Sequence, residues 1–220
     1  MKCRLLLDSD NHSIQVEQLS QDGVVTYKHI TPETFLNSLK KMRGSPMQSS
    51  GMLPEGCIAY ASNPEGWQNV ALRFPELYAD IQYRDTPYQH FPLPRLVFKF
   101  EHLAGQRVQR CWMGVVRDER LTPQTPMYRF PFANVYGNGL LCTGGNELPV
   151  CRSLHTLSSL PYYILAMPYN DDMYRADNNR LKLGFRELLE YMKDKKPAAY
   201  YEELLIPNGR TLDDFIHTHT

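Results

Sequence analysis

The chain has 220 residues, 42% of them hydrophobic, and its 24 lysines and arginines balance 24 aspartates and glutamates. That length fits one large domain, or a core domain with a smaller appended unit. Zero net charge excludes a protein that holds nucleic acid by a strong basic field and gives no support for binding to an anionic membrane.

Residues 2–30 alternate as strands: Cys3, Leu5 and Leu7, then Ile14 and Val16 after a turn at Ser9–His12, then Val24–Tyr27 after Gln21–Gly23. The apolar run of the first strand ends at Asp8, too short for a secretory core. No run reaches the roughly 18 apolar residues of a spanning helix, so a cytoplasmic protein is expected. Thr31 caps a helix that Pro32 opens, with Phe35, Leu36 and Leu39 on one face up to Met42. Residues 44–51 read as a linker, 56–60 as a short strand and Asn63–Gly66 as a turn. The mixed stretch 67–88 yields short strands near 69–73 and 79–83, and Phe91-Pro92-Leu93-Pro94 reads as punctuation.

Strands at 96–100 and 107–116 are joined by a hairpin loop at 102–106, and the proline-rich segment 121–131 is extended or turning. Apolar positions 154, 157, 160, 164, 165 and 167 suit a helix despite Pro161, and Pro168–Asp172 breaks it. Leu181, Phe185, Leu188, Leu189 and Met192 line one face of a helix over 181–193. A last short helix covers 212–216. Strands first and helices last make an α+β fold.

The chemistry concentrates in residues 131–142, Pro-Phe-Ala-Asn-Val-Tyr-Gly-Asn-Gly-Leu-Leu-Cys, where Asn134 precedes Cys142 by eight residues across a Gly-Asn-Gly turn. A cysteine just past such a turn can present its sulfur at a surface, and a nearby amide can donate to an oxyanion. Both serve acyl transfer through a thioester. The other reading of Cys142 is a buried core cysteine. Cys3, Cys57, Cys111 and Cys151 lack glycine-rich flanks and read as structural. Five widely spaced cysteines exclude a fully paired disulfide framework. With no Cys-x-x-Cys pair and scattered histidines, neither a metal nor a cofactor is expected. The nearest histidine, His155, lies thirteen residues from Cys142, so a Cys-His dyad would have to be assembled by the fold. Gly144-Gly145 lacks the lysine and helix start of a phosphate loop.

The segment 123–142 resembles the active-site region of the ubiquitin-conjugating enzymes. Phe132-Ala133-Asn134 stands where that family has His-Pro-Asn, and Gly139-Leu140-Leu141-Cys142 where it has Gly-x-Ile-Cys, with no gap between them. Pro168-Tyr169-Asn170-Asp171-Asp172 is similar to the family's Pro-x-x-Asp-Asp turn. The wording Thr-Pro-x-Tyr-x-x-Pro-Phe-x-Asn-Val-Tyr, then Gly-x-x-Cys-x-Gly, resembles the bacterial branch: prokaryotic conjugating-enzyme family D and PRTRC system protein B. The family's histidine and proline are Phe132 and Ala133 here, and Trp112 lies before the cysteine rather than after it.

The resemblance implies a β-rich extension with one helix over residues 1–88 and a UBC-like domain, an antiparallel meander with C-terminal helices, over 89–220. It implies that Cys142 accepts a ubiquitin-like protein from an activating enzyme as a thioester and passes it to an acceptor amine. Asn134 would donate to the oxyanion or brace the loop, Asp172 would orient the amine, and Tyr136 or Asn138 would line the loop. The implied partners are the ubiquitin-like protein, the activating enzyme and a metallopeptidase encoded beside them, with no nucleic acid and no membrane. Two rivals stand beside this reading. A UBC-like module that only binds a ubiquitin-like protein needs neither Cys142 nor Asn134. An unrelated cysteine hydrolase requires a histidine nitrogen within reach of the Cys142 sulfur.

Overall fold

The computed structural model describes residues 2–8, 10, 12–20, 23–42 and 49–217. Most of the expected linker, 44–48, and the turn residues Ser9, Asn11, Gln21 and Asp22 lie outside them. The chain divides into two compact units, Met1–Ser49 and Ser50–Thr220.

In the first unit, strands β1 (Lys2–Asp8), β2 (Ser13–Leu19) and β3 (Val25–Ile30) pair antiparallel in that order and lead into helix α1 (Pro32–Met42). Thr31 Oγ1 accepts the Thr34 N–H at 3.2 Å, the capping bond that the Thr-Pro start implies.

The second unit holds strands β4 (Cys57–Ser62), β5 (Trp67–Phe74), β6 (Leu77–Tyr83), β7 (Thr86–Leu93), β8 (Leu96–Leu103), β9 (Val108–Val116), β10 (Pro126–Tyr128) and β11 (Pro207–Thr211). Six of them form one antiparallel sheet in the order β11-β10-β9-β8-β5-β4, and β6-β7 form a separate ribbon. The division differs from the one expected at residue 88. β5 pairs with β8 from Trp67↔Leu103 to Phe74↔Leu96, so residues 57–74 share a sheet with residues 96–116.

Period-two alternation gives this sheet two buried faces. Val70, Leu72, Phe98, Phe100, Cys111 and Met113 join the main core with Phe185, Leu188, Leu189 and Met192 of α3 (Phe185–Met192). On the opposite face Val97, Trp112, Val116 and Met127 pack with Leu212 and Phe215 of α4 (Leu212–His217).

Two helices differ from expectation. The apolar stretch at 154–167 opens as a 3-10 segment, Leu154–Ser159, and becomes α2 only at Leu160–Leu165, where Pro161 sits in the first turn. There its missing N–H is no loss. The helix expected from Leu181 starts at Phe185: Lys182 has φ 53, and Gly184 donates its N–H to Glu187 Oε2 at 2.8 Å as the cap. Among the described residues no helix is long and apolar enough to cross a membrane.

Candidate active site

The chain approaches the cysteine from inside the core. Phe130, Phe132, Ala133 and Val135 are buried, and the Phe132 ring meets those of Phe91, Phe130, Tyr169 and Tyr200 with centroids 5.3–6.3 Å apart. A phenylalanine therefore fills the position that the resemblance gives to a histidine, and it anchors the loop by burial.

Asn134 then turns the chain with φ 63, a left-handed conformation that asparagine tolerates better than most residues. A tight turn follows. Gly139 donates to the Tyr136 carbonyl and Tyr136 to the Leu140 carbonyl, both at 2.8 Å, while Asn138 Oδ1 accepts the Leu140 N–H at 3.1 Å. Gly139 has φ 90 and receives the Met113 N–H at 2.8 Å; a Cβ there would stand 3.0 Å from the Met113 carbonyl oxygen. The returning strand pairs with β9, Leu140 opposite Trp112 and the Leu141 N–H on the Cys111 carbonyl at 2.8 Å.

This path closes on Asn134. The Cys142 N–H donates to the Asn134 carbonyl at 2.8 Å, and the Asn134 N–H meets the Asp172 carbonyl at 3.4 Å. Backbone bonds thus bring the three expected site residues together. Asn134 Nδ2 donates to the Pro168 carbonyl at 3.0 Å and braces the loop against segment 168–172. That segment is fastened on its other side to β6 by the Tyr169 N–H on the Gln82 carbonyl at 2.7 Å and by Asp171, which accepts the Tyr83 hydroxyl and pairs with Arg84. Asp172 is exposed. Its N–H bonds Asn170 Oδ1 at 2.7 Å and its Oδ2 accepts Asn170 Nδ2 at 2.9 Å.

Cys142 is half-buried, and among the described residues the one hydrogen bond to its Sγ comes from the Tyr136 hydroxyl at 3.8 Å. The hydrolase reading requires a histidine at that place. The bond to Cys142 and the sulfur's charge push the Tyr136 phenol above its ordinary value. The resemblance puts Tyr136 along the loop without implying this contact; its spacing of six from the cysteine, across a turn closed by glycine, is the signal for it. The other described cysteines differ. Burial pushes the Cys57, Cys111 and Cys151 thiols up, Cys111 furthest. Cys151 Sγ lies 3.3 Å from the Ser153 carbonyl. Among the described residues no group of three or more metal-ligating side chains gathers.

A cleft of about 380 Å³ opens beside the turn, lined by Tyr136, Asn138 and Gly139 but not by Cys142.

Residues 35–205, more than three quarters of the chain, match the family described as Prokaryotic E2 family D. No curated protein and no solved structure matches the chain.

Proposed function

The chain belongs to prokaryotic E2 family D, and from that premise we propose that it is a ubiquitin-conjugating-like acyltransferase with Cys142 as the thioester-forming residue. The observation that carries the reading is the run of backbone bonds joining Cys142, Asn134 and Asp172. In this reading β8, β9 and β10 belong to the conjugating-enzyme meander and α2 and α3 are its following helices. The chemistry lies within residues 89–220, the first unit is an extension, and β4 and β5 lengthen the sheet.

In the first step the Cys142 thiolate attacks the C-terminal carbonyl of a ubiquitin-like protein carried as a thioester by an activating enzyme. A new S–C bond forms, and the activating enzyme's sulfur leaves and takes up a proton. In the second step an acceptor amine attacks the same carbon. A C–N bond forms, the Cys142 sulfur leaves as thiolate, and the amine's proton passes to solvent by way of Asp172. The Tyr136 hydroxyl, already directed at Sγ, stabilises the sulfur as nucleophile and as leaving group. Asn134 Nδ2 carries two N–H groups. One is held by Pro168, which leaves the second for the oxyanion of the tetrahedral intermediate. The Asp172 carboxylate, oriented by Asn170, attracts and positions the amine.

The test is adduct formation with the ubiquitin-like and activating proteins encoded nearby, read on a gel with and without thiol. A thiol-sensitive adduct is expected that Cys142→Ala abolishes, Cys151→Ala retains and Cys142→Ser converts to a more stable oxyester. No adduct from a demonstrably charged activating enzyme, with binding of the ubiquitin-like protein intact, makes the protein a binding module and overturns the transfer reading.

A further inference from the structure

The cleft beside the turn carries a chemistry that the transfer step does not use. Three arginines line it from three separated segments: Arg129 just after β10, Arg175 before the short 3-10 segment Ala176–Asn178, and Arg210 in β11. Its one acidic lining residue, Asp177, is already engaged. Arg175 Nε and Nη2 donate to the two Asp177 carboxylate oxygens at 3.1 and 3.2 Å, which holds that carboxyl below its ordinary value. Arg129 Nη1 donates to the Asp177 carbonyl at 3.2 Å, one of the five N–H bonds its guanidinium can make. Asp214 lies in the field of Arg210 but accepts from both the N–H and the hydroxyl of Thr211.

Two asparagines strengthen the bias. Asn138 Oδ1 is used by the Leu140 N–H and Asn208 Oδ1 by the Arg210 N–H at 2.9 Å, so what each amide has left to offer is mainly its NH2 donors. The wall is therefore rich in donors and cations, within a chain whose net charge is zero. Tyr136 belongs both to this wall and to the Cys142 contact.

We infer that the cleft docks a carboxylate-rich segment of the protein that Cys142 receives, holding it beside the thiol through Arg129, Arg210 and the amides of Asn138 and Asn208. The occupant rests on the proposed function: a thiol that accepts a protein tail has a protein lying across Tyr136. Guanidinium forks match carboxylates two bonds at a time.

The probe is a fluorescein-labelled hexaglutamate peptide titrated into the full chain at low salt by anisotropy, with hexaglutamine as control. Binding is expected for hexaglutamate only. It should weaken about tenfold or more in Arg129→Glu with Arg210→Glu and stay unchanged in Arg120→Glu, an exposed arginine outside the cleft. Should the charge reversals fail to fold, the side-chain amide resonances of Asn138 and Asn208 in the unaltered protein read the same contact and should shift with hexaglutamate. Equal loss in Arg120→Glu, or unshifted amides, overturns the inference. So does displacement by inorganic phosphate at far lower concentration than by chloride at matched ionic strength, which would make the cleft a phosphate site. The two readings fail separately. An adduct at Cys142 with no peptide binding removes only the cleft, and peptide binding with no adduct removes the transfer reading and leaves an acidic-segment binder.

Discussion

Phe130, Phe132 and Ala133 are buried among aromatic rings, while Tyr136, Gly137 and Asn138, a few residues on, are exposed. The two stretches hold the same loop by different means. The first is fixed by packing area and ring contacts, and the second by main-chain bonds to β9 and by one asparagine amide on Pro168. The cysteine's seat is closely packed on its inner side and open to solvent at the turn. Substitutions in the buried stretch are expected to act mainly on stability, and those in the exposed turn to act less on it.

The sharpest way to break this contrast is Phe132→Ala, which deletes a ring with four aromatic neighbours and should cost about 3–5 kcal/mol in chemical denaturation. A loss below about 1 kcal/mol would mean that the loop does not depend on its floor. Asn134→Ala comes next. It removes the bond to Pro168 and puts an alanine at φ 63, for an expected loss of about 1–3 kcal/mol. Asn134→Gly keeps the backbone freedom and should lose less; an equal loss would place the whole effect in the amide.

Away from the loop, His102 in β8 offers a titrating test of the buried side. It is 1% exposed, its Nε2 has no partner among the described residues, and burial holds its pKa below the ordinary 6.5. As pH falls below 6.5 the unfolded chain takes up this proton before the folded chain does, so stability should decline with acid. His102→Gln should flatten that slope in thermal melts taken across the range, and an unchanged slope would exclude His102 as its source. The smallest effect belongs to the exposed side. Cys142→Ala should leave stability nearly unchanged while letting the Tyr136 phenol ionise at lower pH, read by ultraviolet titration against Tyr136→Phe. The sign follows from the bond and the anion that now hold the Tyr136 pKa up.

Much of this arrangement was legible in the residues. The alternation over 96–100 and 107–116 became β8 and β9, and the eight-residue spacing of Asn134 and Cys142 became a backbone bond. What escaped was set by partners distant in sequence. β7 runs through the Phe91-Pro92-Leu93 stretch that reads as punctuation; Pro92 is tolerated in a two-stranded ribbon, where part of the backbone has no strand partner. β11, Pro-Asn-Gly-Arg-Thr, has no apolar pattern and exists because β10 offers it an edge. The direction of the Asn134 amide depended on where Pro168 returns, thirty-four residues later. Leu181 matched a helical face by period, yet the positive φ at Lys182 leaves it outside the helix and 44% exposed.

Trp112 has a further use. It is one of two tryptophans, it is 3% exposed, the Lys99 ammonium sits 4.4 Å from its ring centroid, and Leu140 of the cysteine's turn lies directly across from it. An indole in that position is a built-in optical gauge. Its emission is expected to be blue while the turn is seated and to redden if the turn lifts from β9 and admits water. With Trp67→Phe removing the second emitter, the seating of the turn on β9 can be followed by fluorescence without attaching a dye.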